Sequence, residues 1–412
     1  MQLRYNYRAY PDTAQCTALA QAFGCARVVW NDCLRVRKEA LAAGLPYVSS
    51  AVLSKTHITQ AKRTPERSWL ADVSAVVLQQ SLRDLDAAYK NFFDGQQGKR
   101  PRVGEPRYKS KRDTRQSIRL NANSFSLRDN GTVYVAKVGD LSVRWSRPLP
   151  AAPTSLTVTK DSSGRYFLSF VVDTDADVLP ESSIETGVDL GLAAFAVLAD
   201  GRTIDSPRFL RRAEKKLKRL RRDLSRKEKG SRNRAVARAK VARQCARVAD
   251  RRRDWHHKHS TQIIRENQAV YVEDLAVSTL GRTRLGGSVY DAGWAQFVRM
   301  LEYKAVKHGR YFARIGRFEP TSQRCSTCGV KDGPKPLSVR TWTCGACGTA
   351  HDRDVNAARN ILAAGRADRL NALWSTGRTG KIPARCDEAG SHRDGRKAVA
   401  GVPGPEAGEH VK

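Results

Sequence analysis

At 412 residues the chain is long enough for two or three domains, each with its own core. Its 74 Lys+Arg against 41 Asp+Glu give a formal charge of +33, far more than solubility needs, so the expected partner is a polyanion. No apolar run approaches the roughly 20 residues of a membrane-spanning helix, and Met1 leads straight into Gln2, Arg4 and Asn6. A membrane partner is therefore not expected, and a cytoplasmic location is.

Residues 3–9 read as a short strand closed by Tyr10-Pro11-Asp12, after which Leu19, Phe23, Ala26 and Trp30 recur at helical spacing. A second amphipathic stretch carries Leu78, Leu82, Leu85, Ala88 and Phe92, so a helical block is predicted over 13–95. Its exit, 99–115, is basic and has Tyr108 as its only aromatic. From 116 to 173 short alternating runs separated by Asn130-Gly131 and Ser163-Gly164 predict an antiparallel sheet or small barrel, which the opening strand joins.

Beyond a polar linker, the apolar run 185–199 is interrupted by Asp189 and by glycines, implying two adjacent strands. Residues 208–253 are overwhelmingly basic with a narrow stripe of Leu217, Leu220, Leu224, Val236, Val241 and Val248. Broken near Gly230, this segment reads as a hairpin of two cationic helices, with Arg211, Lys215, Lys218 and Arg222 as candidate nucleic-acid contacts. Residues 269–275 form a short buried strand holding Glu273, and 292–307 an amphipathic helix bearing Trp294, Phe297 and Leu301. After Arg366 the composition turns to Gly, Arg, Glu and Pro, which predicts a disordered tail over 366–412.

Five of the nine cysteines, Cys16, Cys25, Cys33, Cys245 and Cys386, are scattered, while Cys325, Cys328, Cys344 and Cys347 make two CxxC pairs, each followed by glycine. Two such knuckles place four thiolates on one tetrahedral zinc and leave no open position, so the ion is structural. Lys331, Lys335, Arg340 and Trp342 in the intervening loop are further candidates for contact with nucleic acid.

Three carboxylates interrupt otherwise apolar or helical patterns. Asp189 sits in Gly187-Val188-Asp189-Leu190-Gly191, where an aspartate is costly without a partner and the glycines leave room for a phosphate or hydrated metal. Glu273 ends the strand in Val272-Glu273-Asp274-Leu275, and Asp354 opens a helix in Asp352-Arg353-Asp354-Val355-Asn356, where either aspartate also suits helix capping. Taken together beside so basic a chain, they fit oxygen ligation of two Mg2+ or Mn2+ ions for phosphodiester hydrolysis.

These motifs, in this order with the double CxxC, resemble the TnpB family, transposon-encoded relatives of type V CRISPR effectors. Tyr10-Pro11, the segment 24–31, Ala88-Tyr89-Lys90-Asn91-Phe92-Phe93, Asp291-Ala292-Gly293-Trp294 and Pro320-Thr321-Ser322-Gln323 add to the likeness, which covers residues 1–362. The resemblance implies an α/β RNase H-like (RuvC) nuclease domain, 181–319 and 348–365, with an inserted zinc ribbon, 320–347. It also implies an N-terminal β-barrel wedge, 1–12 and 96–180, carrying the helical recognition block 13–95. Asp189, Glu273 and Asp354 take the metal-binding positions, a guide RNA from the transposon end selects double-stranded target DNA, and a short motif beside the target is read by protein. For that motif the resemblance points to Tyr47 and to Gln79 or Gln80. Two other readings are a guided repressor that no longer cuts, against which all three carboxylates are intact, and a strand-transfer transposase using His257-Lys258-His259.

Overall fold

The computed structural model describes residues 1–336 and 338–375. Strand β1 (Gln2–Tyr10) ends at Pro11, and Asp12 opens helix α1 (Thr13–Ala42) with a capping box. Its carboxylate accepts from the Gln15 amide at 2.8 Å while Gln15 Oε1 accepts from the Asp12 amide at 3.1 Å. Helix α2 (Ser50–Ser54), irregular helical turns over 55–71 and helix α3 (Ala75–Gln96) complete the helical block. The basic stretch that follows has no regular structure, yet its backbone is held on α1. Trp30 Nε1 donates to the Arg107 carbonyl at 3.0 Å, and the Asn31 amide pairs with both backbone groups of Lys109.

Six strands follow: β2 (Gln116–Asn121), β3 (Phe125–Leu127), β4 (Val133–Val135), β5 (Gly139–Arg144), β6 (Pro153–Lys160) and β7 (Tyr166–Asp173). With β1 they form one antiparallel, nearly closed sheet in the order β2-β6-β7-β1-β5-β4-β3. Tyr7, Trp145 and Phe170 cluster inside it, with ring centroids 4.7 to 5.9 Å apart. A single buried cluster runs from Leu19, Phe23, Trp30 and Leu82 of the helices to Val158, Leu168 and Phe170 of the sheet, so block and barrel share one core.

The second sheet contains β8 (Glu185–Leu190), β9 (Ala194–Leu198), β10 (Thr203–Asp205), β11 (Ala269–Glu273) and β12 (Tyr311–Ile315), in the order β10-β9-β8-β11-β12. The first three are antiparallel, and β8, β11 and β12 run parallel. Between β10 and β11 lie helices α4 (Phe209–Ser225) and α5 (Arg232–Glu266), and between β11 and β12 lie α6 (Val277–Leu280), α7 (Gly286–Ala292) and α8 (Trp294–Lys307). A ribbon of β13 (Thr341–Thr343) and β14 (Ala350–Asp352) leads into α9 (Arg353–Ser375). Ile263, Phe297 and Leu301 cover one face of the sheet against Phe195, Val270 and Val272, whereas Ile361 covers Tyr271 and Ile315 on the other. Burial on both faces is why β11 reads as an unbroken apolar run instead of alternating.

The cationic hairpin forms as expected, broken at Gly230 with φ +92°, although α5 runs on to Glu266. Asp291 of α7 caps α4 from outside, its carboxylate accepting from the amides of Leu210 at 2.7 Å and Arg211 at 3.1 Å. The tail does not begin at Arg366. Helix α9 continues to Ser375 because Arg366 and Arg369 both reach Glu185, at 2.7 and 2.9 Å, an anchor invisible to composition. Residues 376–412 lie outside the described residues. Among the described residues no helix is long and apolar enough to cross a membrane.

Candidate metal centres

Val188 pairs with Val272 across the parallel strands β8 and β11, so Asp189 and Glu273, each one residue further on, stand side by side at their carboxyl ends. Asp354 reaches them from α9, which lies directly on β8. A Cβ on Gly187 would strike the Ala358 carbonyl oxygen and come within 2.6 Å of the Leu362 amide nitrogen, and one on Gly365 would strike the Tyr271 ring. With Arg366 and Arg369 held at Glu185, strand and helix run antiparallel. From the Gly187–Ala358 contact, two residues along β8 cover about 6.6 Å and four back along α9 about 6 Å, so Asp189 and Asp354 arrive at the same end. The space at Gly187, expected to admit a ligand, is filled by helix backbone, and a Cβ on Gly191 would come within 3.0 Å of the Ala194 carbonyl oxygen in the β8–β9 turn. Gly187 lets α9 approach β8 and leaves no room beside itself for a ligand.

The capping ambiguity resolves onto Asp352, whose Oδ1 accepts from the amides of Asp354 at 3.0 Å and Val355 at 2.9 Å. Asp354 is thereby free of the helix end. Burial, then the charges of Asp354 and Glu273, push the Asp189 carboxyl up to about 7, with Arg353 and Arg340 opposing. Burial and then Asp274 raise Glu273 as well. Arg340 of the ribbon loop pairs with Asp354 at 3.3 Å. The cluster is short of positive charge, which suits hard divalent cations. Among the described residues, the four cysteines form a group of metal-type donors whose ligand atoms all lie within 4.8 Å of one another.

At the cysteine centre, Cys325 and Cys344 are buried, Cys328 and Cys347 exposed. Sulfur atoms of Cys325 and Cys347, and of Cys328 and Cys344, are 3.7 Å apart. A tetrahedron with bonds of about 2.3 Å has edges of about 3.8 Å, so the donor set fits zinc. Gly329 and Gly348 take φ +77° and +70° and close each knuckle onto Cys325 and Cys344, at 2.9 Å. The Thr349 hydroxyl and amide hold the Cys347 thiol down at about 6. Burial pushes Cys25 up to about 11 and Cys33 to about 12, leaving those two as inert core thiols.

One partner of this centre escaped the sequence reading: buried His351, whose Nε2 lies 3.0 Å from Cys325 Sγ. Its signal was the position on the strand leaving the second knuckle. Asn356 and Asn360 were also missed; both donate to the Arg324 carbonyl, at 2.8 and 2.7 Å, and so clamp the first knuckle to α9. Of the loop residues expected to meet nucleic acid, Lys335 lies 3.6 Å from the centre of the buried Trp342 ring, Arg340 pairs with Asp354, and Lys331 is exposed.

Arg211, Lys215, Lys218 and Arg222 are all exposed on α4, which holds eight basic residues against two acidic. Tyr47 is exposed, with the Arg37 guanidinium 4.5 Å from its ring centre. Gln79 donates to Ser54 Oγ at 2.8 Å, and Gln80 is buried, which withdraws it from any base edge. His257 and His259 lie on helix α5, where residues two apart point to opposite sides, so they cannot share a metal.

Comparison with known proteins adds to this geometry. Residues 294–361 match a family described as "Cas12f1-like, TNB domain", 169–284 one described as "Probable transposase", and 1–45 one described as "Helix-turn-helix domain". In this chain the last of these segments is β1 and the single helix α1. A Streptomyces pristinaespiralis protein named "Putative RNA-guided DNA endonuclease" is 42% identical over 408 residues, 97% of this chain and 98% of that one. An Escherichia coli K12 protein, "Putative RNA-guided DNA endonuclease InsQ", is 32% identical over 381 residues, 88% of this chain and 92% of that one. The fold is similar to that in a solved structure titled "Cryo-EM structure of the Cas12f1-sgRNA-target DNA complex", with TM-score 0.53 at 15% identity over 84% of this chain and 82% of that one.

Proposed function

The chain belongs to the TnpB family, and on that premise we propose that it is an RNA-guided, divalent-metal-dependent DNA endonuclease encoded by a transposon. It cuts double-stranded target DNA beside a short motif read by protein. The observation that carries the nuclease reading is the meeting of Asp189, Glu273 and Asp354, from two adjacent parallel strands and one helix, with burial and mutual repulsion raising Asp189 to about 7. A mixed five-stranded sheet covered on both faces, with acids at the carboxyl ends of its parallel strands, supports an RNase H-like (RuvC) domain.

Two bound Mg2+ or Mn2+ ions would activate water and stabilise the leaving oxygen. The three carboxylates hold the cations and orient them on rigid elements. Arg340 neutralises Asp354 from the ribbon, and the four cysteines hold one structural zinc that keeps this loop in place. In this reading the barrel is the wedge and the helices over 13–95 are the recognition block, with Tyr47 and Gln79 near the target-adjacent motif. The α4–α5 hairpin contacts guide RNA from the transposon end.

The test is to purify the protein with its RNA, sequence that RNA, and challenge the complex with matching and mismatched DNA in Mg2+. Cleavage only of DNA matching a variable 3′ segment of a transposon-end transcript is the expected result. Bulk cellular RNA with no guided cleavage overturns guidance.

A further inference from the structure

We propose that Phe318 is a base-stacking platform for the single DNA strand entering the carboxylate site. The inference rests on the nuclease reading and deepens it. At 92% exposure Phe318 is the most exposed large hydrophobic side chain among the described residues. It lies three residues beyond Ile315, whose Cα is paired with that of Glu273. Neighbouring strands are about 4.8 Å apart and three residues span at most about 10 Å, so the ring stands within a few nucleotides of the carboxylates.

Its loop is not slack. Arg317 donates through Nη2 to Asp274 Oδ2 at 2.5 Å and through Nε to the Asp274 carbonyl at 3.2 Å, fastening the loop to the residue after Glu273. Gly316 and Glu319 close a turn at 3.2 Å, and Asn360 donates to the Thr321 carbonyl at 2.7 Å. A rigid turn thus holds up an aromatic ring that does nothing for the core. Its chain neighbours Arg317 and Glu319 are charged and held in ion pairs with Asp274 and Arg324. A stable protein interface needs roughly 800 Å² per partner, whereas one Phe side chain offers at most about 250 Å². A nucleobase needs only an exposed ring face, and such stacking tolerates any sequence.

The experiment uses the full-length protein with its copurified RNA, in buffer free of Mg2+, Mn2+ and chelator so that the zinc stays bound and no strand is cut, and single-stranded DNA carrying 2-aminopurine at successive positions. Wild-type protein should quench the probe at one or two positions. Phe318→Ala should abolish that quenching and weaken single-strand binding about tenfold, Phe318→Leu should behave like Ala, and Phe318→Trp should restore both. Unchanged zinc content and circular dichroism confirm folding of each variant. Full quenching by the Ala or Leu variant, with wild-type cleavage intact, overturns the stacking role alone. Failure of the wild type to bind or cut DNA overturns the nuclease reading with it. A change in oligomeric mass with unchanged quenching assigns the ring to a protein contact and also overturns the proposal.

Discussion

The backbone of Ala358 occupies the place where a side chain on Gly187 would be, and this contact sets helix α9, with Asp354, against strand β8, with Asp189. A Cβ at Gly187 meets backbone, which cannot rotate away. Gly187→Ala should therefore destabilise the protein by about 1–3 kcal/mol or more and suppress cleavage beyond what unfolding explains, because Asp354 is displaced. Gly104→Ala, in open space, is the control and should change stability little. Denaturant unfolding beside cleavage assays at a temperature where both variants are folded checks this.

Asp189, Glu273 and Asp354 should each be needed for cleavage in Mg2+ but not for RNA binding. Asn or Gln at any one of them is expected to lower cleavage by three orders of magnitude or more, roughly 4 kcal/mol of barrier. Guide RNA binding by filter retention should stay within about twofold. Full activity in any of the three variants removes that residue from the site.

The raised Asp189 carboxyl has a thermodynamic signature apart from catalysis. Its pKa lies near 7 in the folded metal-free chain and near 4 unfolded, so between those values the folded state binds more protons. Metal-free protein should lose stability as pH rises through that window. Asp189→Asn should then be more stable than wild type at pH 8, by an order of 1–3 kcal/mol, and nearly equal to it at pH 4. Adding Mg2+ at pH 8 should raise the melting temperature of wild type and not of Asp189→Asn. Melting curves at four pH values, with and without Mg2+, decide it.

The sequence carried the strands that end in Asp189 and Glu273, the two knuckles and the cationic hairpin, because each rests on local pattern: apolar runs, CxxC spacing, charge density. Long-range pairings stayed hidden. Gly187 reads the same whether a ligand or a helix fills its notch, and no local feature says that Glu185 holds Arg366 and Arg369 of α9 or that Asp291 caps α4. Gln80 has the chemistry of an adenine reader, but the helix turns it inward. Asp352 and Asp354 were equivalent on paper; hydrogen bonds at 3.0 and 2.9 Å make Asp352 the cap and leave Asp354 as the proposed metal ligand.

Zinc should measure near one per chain. Removing it by chelation, or by Cys344→Ser, should free the ribbon from α9 and withdraw Arg340 from Asp354, reducing cleavage while the barrel stays folded. His351→Ala should retain zinc with an affinity lower by about 10–100-fold, since His351 touches Cys325 from outside the ligand set. Elemental analysis and competition with a chromogenic chelator measure both. A zinc-free protein that cuts normally would falsify the structural role.

The α4 face makes a prediction about salt. Arg211, Lys215, Lys218 and Arg222 are exposed, and Lys218 is ion-paired with Glu214 at 2.9 Å. If all four meet RNA phosphates, each neutralised phosphate releases counterions and contributes about 0.7 to the slope of log K against log salt. Replacing the four with Ala should lower that slope by roughly 2 to 3 and weaken binding most at low salt. Asp291→Ala works differently: it leaves every cation in place but uncaps α4, at a cost of about 1 kcal/mol, so affinity should fall modestly with the slope almost unchanged. Salt titrations of RNA binding for the two variants separate phosphate contact from helix order, and an unchanged slope in the quadruple variant would take α4 out of the interface.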